Sequence, residues 1–487
     1  MTLPILIGGK WRAGTGKVIA SRYPADDSVT AEVAAASPAD VDAAVEAGAK
    51  AARDPAWRDL LPHQRASFLY KISDLIASRA EALAQLQMRD NGKPISETRA
   101  LVASAAGTFR YFGAVAETTE TEITPSRGPY LSMSTYEPRG VIAAITPWNS
   151  PIASDAQKLA PALAAGNAVI LKPAEVTPLV ALELGRICLE AGVPEGLVSV
   201  LPGPGSTVGN AIVRHPLVRM VSFTGGTTTG KAIAHAASDK MMPVQLELGG
   251  KSPTIVFDDA DLDHAVNGVI FGIFSSAGQS CIAGSRLFVD AKIYDSFLDR
   301  LIAKTKTLRI GDPPDPNTQI GPQISFAHRK VIEDYVALGR QEGGAVVCGG
   351  VRPTGSIYDK GSFYLPTILA GLGNNARICQ EEIFGPVLCA LKFKDEADLV
   401  AQANDSVYGL ACGIWTRDYK RAWRIGRAIE AGTIWINTYK LFSIATPFAA
   451  FKDSGIGVEK ARRGIFNYMQ QKSFYWGLNE RPMPWAD

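Results

Sequence analysis

Residues 276–284 read "SAGQSCIAG" and place Cys281 among small residues, in a chain of 487 residues that holds six cysteines. No bulky side chain adjoins the sulfur, so a ligand can approach. A thiolate there is a good nucleophile if local dipoles lower its pKa. The plainer reading of a lone cysteine is a small buried hydrophobe, which suits Cys188, Cys389 and Cys412 among their apolar neighbours. Glu247 ends an apolar run directly before Leu248-Gly249-Gly250. A carboxylate there is either solvated or buried, and burial raises its pKa toward that of a useful general base. Asn149, after Pro147-Trp148, carries an amide that can donate to an oxyanion or merely shape a turn. Lys172, just before Pro173, can hold a phosphate or ribose oxygen, or be solvated.

The elements that must position these residues show in the rhythm of the chain. Short apolar runs recur at 141–145 (VIAAI), 168–171 (AVIL), 197–201 (LVSVL), 219–223 (RMVSF) and 243–248 (PVQLEL). The first four are each followed by a stretch that can be helical, which predicts a parallel sheet with helices on both faces. Ligands of such sheets bind outside the carboxyl ends of the strands, where "TPWN", "KPAE", "PGPGSTVG", "TGGTTTG" and "GGKSP" fall. Gly203, Gly205 and Gly209 make a G-x-G-x-x-x-G turn, one residue longer than the dinucleotide fingerprint. "GGTTTG" at 225–230 is a second glycine turn. Two turns able to open helices favour a phosphate-bearing ligand more than either alone.

The first 120 residues read as mostly helical: Ser37-Pro38-Ala39-Asp40 is a helix start, and Phe68, Leu69, Ile72, Leu75 and Ile76 repeat at helical spacing before Asn91-Gly92. Residues 129–137 alternate as a strand, and 472–478 read as another with aromatic faces. A second alternating region spans 254–445, where a helical stretch at 261–275 leads into Cys281. Strands are predicted there at 286–289, 345–348, 386–391 and 433–437.

The formal net charge is +2, with no basic block for nucleic acid and no acidic tail. No run approaches the ~18 apolar residues of a membrane span, and the N-terminus lacks the pattern of a signal peptide. The cysteines form no C-x-x-C pair and the five histidines fall at no zinc spacing, so no metal site is expected. Reduced thiols and a cytoplasmic location fit these features.

Seven motifs carry a resemblance to the NAD(P)-dependent aldehyde dehydrogenase superfamily over essentially the whole chain. They are "PWN" (147–149), "LKPAE" (171–175), "FTGGTTTG" (223–230), "LELGGKSP" (246–253), "GQSCIAGSR" (278–286), "EEIFGP" (381–386) and "PFAAFKDSGIG" (447–457). The resemblance implies an α/β fold with three parts. These are a Rossmann-like parallel-sheet dinucleotide-binding domain (1–121 and 142–246), a second α/β catalytic domain (247–458), and β oligomerisation strands with a tail (122–141 and 459–487). It implies Cys281 as nucleophile, Glu247 as general base, Asn149 with the Cys281 N–H as oxyanion hole, and Lys172 beside them. NAD is the implied cofactor, with NADP as an alternative. Its expected contacts are Ile145, Thr146, Pro147, Trp148, Lys172, Glu175, Gly205, Gly209, Phe223, Thr224, Gly225, Gly226, Thr229, Gly230, Leu248, Gly249, Glu382 and Phe384. Glu175 favours NAD, because a carboxylate bonds the ribose 2′-hydroxyl and repels a 2′-phosphate.

The implied reaction oxidises an aldehyde to a carboxylic acid through a thiohemiacetal and a thioester. Ser150, Ser154, Gln157, Ser275, Ser280, Ile282, Lys440, Phe442 and Phe448 are the expected substrate pocket, roomy and partly polar, suited to a polar or anionic aldehyde such as a semialdehyde. The simpler reading of Lys440 points it to solvent. Gly226 stands where many members have serine, and Ala449-Ala450 where Gly-Gly is commoner. A CoA-acylating semialdehyde dehydrogenase is a rival that Glu247 argues against. A non-catalytic dinucleotide-binding protein is another, against which Cys281 and Glu247 both count. The aromatic strands near 129–137 and 472–478 imply a homodimer or homotetramer.

Overall fold

The computed structural model describes residues 2–479 and Trp485. The remaining residues of the predicted tail, 480–484 and 486–487, lie outside the described residues. Among the described residues, no helix is long and apolar enough to cross a membrane.

The five apolar runs between 141 and 248 form the middle of one sheet. Val141–Ile145 lies at its centre, parallel to Ala168–Lys172 on one side and Val218–Thr224 on the other. Val198–Val200 and Val244–Glu247 extend it in parallel. The order therefore reverses at Val141–Ile145, and that is where a doubly wound sheet opens a crevice at its carboxyl edge. All five residues of Val141–Ile145 and of Ala168–Lys172 are buried, as strands covered on both faces must be. The helix Pro151–Ala164 is buried at every position but Gln157.

Helix signals in the sequence act locally as expected. Ser37 and Asp40 form a capping box at Pro38–Arg53. The helix Ala80–Asn91 ends on Gly92, whose φ of 73° is left-handed. The helical stretch around Phe68 is Pro62–Ser78, and the chain bends at Arg79 before the next helix.

Two features were not legible in the sequence. The N-terminus supplies four strands, Ile5–Ile7, Lys10–Arg12, Val18–Arg22 and Val29–Ala34, ahead of the helices. Ile5–Ile7 closes one edge of the first sheet antiparallel to Val198–Val200, and Gly455–Ile456 closes the other against Val244–Glu247. The two- and three-residue strands carry too little alternation to be seen, whereas Val18–Arg22 and Val29–Ala34, of five and six residues, lie within a region that reads as mostly helical.

Leaving the first sheet at Glu247, the chain enters a second, seven-stranded one at Pro253. There Pro253–Val256 pairs in parallel with Arg286–Asp290 and with Ala411–Trp415. A third, antiparallel sheet joins Glu122–Thr124, Tyr130–Pro138 and Met469–Gly477.

Arg286 ties the nucleophile loop to the second sheet. It is fully buried, and its guanidinium donates to the carbonyls of Lys251 (2.9 Å), Ala403 (2.8 Å) and Gln402 (3.2 Å) and to Asn374 Oδ1 (3.0 Å). Replacing it strands several buried acceptors at once. Arg286→Met is expected to destabilise the fold by about 3 kcal/mol, read as a lower midpoint of denaturant unfolding. Arg286→Lys recovers only part of this, because one ammonium cannot reach the same fan of acceptors.

Candidate active site

The nucleophile loop begins where the helix Leu262–Phe274 ends. Ser276, Ala277 and Gly278 have φ of 58°, 53° and 74°, three left-handed residues in succession. For serine and alanine this costs roughly 1–2 kcal/mol each, so something must hold the turn. Glu97 does so: its carboxylate accepts from the Ser276 N–H and from Ser276 Oγ, each at 2.7 Å, and lies 3.4 Å from Lys93 Nζ.

The small residues around Cys281 have a tighter cause than ligand access. A Cβ at Gly278 would stand 2.1 Å from the Gly385 carbonyl oxygen, and one at Gly284 would stand 2.2 Å from Thr254 Oγ1. A Cβ on Gly250, in the strand-crossing segment, would stand 2.4 Å from the Cys281 carbonyl oxygen. The glycines let the Gly385 carbonyl, the Thr254 side chain and the Gly250 backbone close around one loop.

A cavity of about 720 Å³ lies at the carboxyl ends of the first sheet. Cys281 and Asn149 lie on its wall together with Lys172, the Gly225-Gly226 turn, Gly205 and Gly209. The Asn149 amide donates to the Gln279 carbonyl at 3.0 Å, which fixes it to the nucleophile loop and leaves its second N–H unused among the described residues. Trp148, Phe384 and His328 pack edge to face, with Trp148 and Phe384 centroids 5.1 Å apart, and His328 Nε2 bonds the Phe384 carbonyl. Phe384 is left-handed at φ 58°.

Of the cofactor residues expected from sequence, all but two line this cavity. Glu175 is exposed and off the wall, although its charge acts on Lys172. Gly230 is buried under Leu248, where a Cβ would clash at 2.4 Å, so it serves helix packing rather than the wall. The cavity also takes in Ser206, Asn210, Val213, Ile233 and Ala236, which no motif flagged.

The dimensions and donors fit a dinucleotide. Lys172 Nζ is buried, donates among the described residues only to its neighbour's carbonyl at 3.1 Å, and is held down at about 8 by burial. Thr227–Ser238 opens a helix at the glycine turn, with Gly226 as its N-cap and open space where a side chain would stand. Glu382 accepts the Gly250 N–H at 3.0 Å and is raised to about 7 by burial. Its carboxylate leaves no room for a side chain at Gly249.

The electrostatics of the sulfur reverse the sequence expectation. Burial, and then the charges of Glu382 and Glu247, push the Cys281 thiol up to about 12 rather than down. Only Lys460 and Lys440 act the other way. Glu247 is itself raised well above the usual carboxylate range, first by burial and then by Glu459. Both of its oxygens are buried and have no protein hydrogen-bond partner among the described residues. Behind it, Lys158 Nζ pairs with Glu459 at 2.6 Å and bonds Ser222 Oγ at 3.1 Å, all buried. Sequence reading missed Lys158, Glu459 and Lys460; the available signal was a lone lysine inside a helix otherwise rich in alanine.

None of the expected substrate-pocket residues lines the cofactor-sized cavity. Ser150 and Ser154 bond each other at 2.9 Å on the turn after Asn149, and Gln157 is half-buried on the same helix. Ser280 is half-buried beside the sulfur. Ile282 and Phe448 belong to the core of the second sheet, and the Ile282 carbonyl accepts from Tyr439. Phe442 packs edge-on against Phe448 at 5.8 Å. Lys440 does not point to solvent: it donates to Ser275 Oγ at 2.8 Å, and burial lowers it to about 8.

Fold and site together define an α/β enzyme in which one cysteine closes the end of a dinucleotide-sized cavity. The model of the aldehyde dehydrogenase family matches residues 11–474. Among curated proteins, a betaine aldehyde dehydrogenase of Mesorhizobium japonicum is 43% identical over 93% of this chain and 92% of its own. Among solved structures, the NAD+ complex of an aldehyde dehydrogenase from Bacillus cereus aligns with a TM-score of 0.96 at 37% identity, covering 98% of this chain and 97% of that one. A betaine aldehyde dehydrogenase of Staphylococcus aureus, a point mutant in complex with NAD+, aligns with a TM-score of 0.98 at 35% identity, covering 100% and 99%. The chain belongs to the aldehyde dehydrogenase family, and it is an oxidoreductase of that family.

A thiol held near 12 reacts slowly at neutral pH, since only the thiolate attacks. In the free enzyme, alkylation of Cys281 by iodoacetamide is expected to be roughly a thousandfold slower at pH 7 than for an ordinary cysteine, and to keep rising beyond pH 10. Glu382→Gln, which removes the largest charge raising the thiol, accelerates it. Mass spectrometry of the 281 peptide against time measures both.

Proposed function

We propose that the protein oxidises a free aldehyde to a carboxylic acid with NAD+, through a thioester on Cys281 that water hydrolyses. The observation that carries this reading is the unpartnered, buried carboxylate of Glu247, whose charge reaches the same sulfur that shares a cavity wall with Asn149.

Residues of this chain account for each step. The Cys281 thiol gives up its proton to solvent, its thiolate adds to the aldehyde carbon, and the carbonyl electrons move onto oxygen. Asn149 Nδ2–H and the Cys281 N–H meet that oxyanion, preorganised in a dry site where such donors count most. Bound NAD+ supplies the acceptor for the hydride and a positive ring that favours the thiolate. As the C–H electron pair leaves, the carbonyl re-forms as a thioester. Glu247 then takes a proton from water, the hydroxide attacks, and the C–S bond breaks to release the acid. The raised pKa of Glu247 makes it a stronger base than an ordinary carboxylate, and the cost is protonation at higher pH. Hydrolysis therefore slows as pH falls through that raised value.

Lys172, Gly225, Glu382 and Phe384 would hold the dinucleotide, with the ribose hydroxyls at Lys172 and Glu382. Glu175, although exposed, puts a negative charge beside Lys172, and this favours NAD+ over NADP+. The division into a dinucleotide-binding part, a catalytic part after Glu247 and oligomerisation strands belongs to the same reading. So does a cytoplasmic homodimer or homotetramer: Tyr475 and Trp476 are exposed on Met469–Gly477, a strand that pairs only with Tyr130–Pro138 among the described residues.

Cys281→Ala is expected to abolish aldehyde-dependent NADH formation. Glu247→Gln retains a single burst of NADH followed by turnover slowed at least about a hundredfold. With wild type in H2(18)O, one label enters the acid without added CoA. Acid formation that requires CoA would overturn the hydrolytic reading.

A further inference from the structure

Two lysines reach the Cys281 sulfur electrostatically without lining the cofactor-sized cavity. Lys440 is left-handed at φ 55°, and its ammonium donates to Ser275 Oγ, its one hydrogen-bond partner among the described residues. Lys460 is left-handed at φ 60° and 9% exposed, and no hydrogen bond or ion pair engages its ammonium among the described residues. Strained backbone in a long, charged residue calls for a functional cause. Both ammonium groups act on the charge of the reacting sulfur, and that of Lys440 is bonded to the segment leading into the loop that carries it.

Acids stand beside both cations, and Lys460 feels Glu459 and then Glu247. Glu97 is the acid facing Lys440, and its oxygens already serve Ser276 and Lys93. Glu459, next to Lys460, is bound to Lys158. The ammonium of Lys460 lies 3.8 Å from the Phe442 ring centroid and 5.0 Å from that of Phe448. Those two faces are the aromatic surface a quaternary ammonium would seek, and a protein cation already occupies them.

Resting on the dehydrogenase reading above, we infer that the substrate is an aldehyde bearing a carboxylate, an ω-oxo acid, and that Lys440, assisted by Lys460, is the residue that selects it. The fixed positive charge of betaine aldehyde, the compound in the names of several relatives, is repelled by the same pair. Lys440 offers two unused N–H donors to the carboxylate, a charge-assisted contact that strengthens in a dry pocket.

The test compares succinic and glutaric semialdehydes, pentanal and betaine aldehyde as substrates with NAD+, in wild type, Lys440→Met and Lys440→Arg. The better semialdehyde is expected to exceed pentanal and betaine aldehyde in kcat/KM by at least about tenfold. Lys440→Met lowers the semialdehyde-to-pentanal ratio by about 10–100-fold, chiefly through KM, and Lys440→Arg restores most of it. A structural role alone would weaken both substrates alike and leave the ratio fixed. Wild type that favours pentanal or betaine aldehyde, or a ratio untouched by Lys440→Met, overturns the inference while the dehydrogenase reading stands. If no aldehyde reduces NAD+, that reading falls and this one falls with it.

Discussion

A buried sulfur between two carboxylates is the constraint on which the rest of the site depends. Burial, Glu382 and Glu247 together hold the Cys281 thiol neutral. A neutral thiol is protected from stray oxidation and alkylation, and it is also idle. Catalysis in such a site requires positive charge to arrive beside the sulfur. Lys440 and Lys460 supply part of it while protonated, and a cationic nicotinamide would supply the rest only when bound. Reactivity is thereby tied to occupancy of the cavity.

The fold brings these groups together by making one short stretch belong to two sheets. Glu247 ends the first sheet, and Pro253 starts the second. Between them Gly249 and Gly250 pass so close to Glu382 and Cys281 that neither can carry a side chain. The nucleophile loop is bent through three left-handed residues and held by Glu97 from the N-terminal helices. Asn149, from the central strand's carboxyl end, is bonded to the same loop. Parts of the chain more than a hundred residues apart are fixed to one another within hydrogen-bond reach, so the geometry of the sulfur is set by the whole assembly.

Much of this was readable in the sequence, for physical reasons. A buried parallel strand announces itself as a continuous apolar run, and the five runs from 141 to 248 took the expected places in the first sheet. Short strands such as Ile5–Ile7 and Thr367–Ala370 were missed, although the equally short run at 345–348 was read as a strand. Motif spacing led to Cys281, Glu247 and Asn149, but it could not give the sign of the thiol's shift, which depends on carboxylates brought in from distant segments. It named Lys440 for the substrate pocket but left a solvated side chain as the simpler reading. A lysine between Tyr439 and Leu441 looks solvated until the fold sets it against Ser275 and Glu97. The glycines near Cys281 were noticed for ligand access, and the fold adds a packing reason for them: close backbone and side-chain neighbours leave no room for a Cβ.

The central claim is that one sulfur carries the acyl group while one buried carboxylate waits to release it. Intact-mass and peptide-mapping spectrometry of the Glu247→Gln protein, quenched in acid seconds after mixing with aldehyde and NAD+, tests it directly. The account predicts a mass increment equal to the acyl group, located on Cys281 and removed by hydroxylamine. An unmodified Cys281 peptide while NADH has formed stoichiometrically would contradict it.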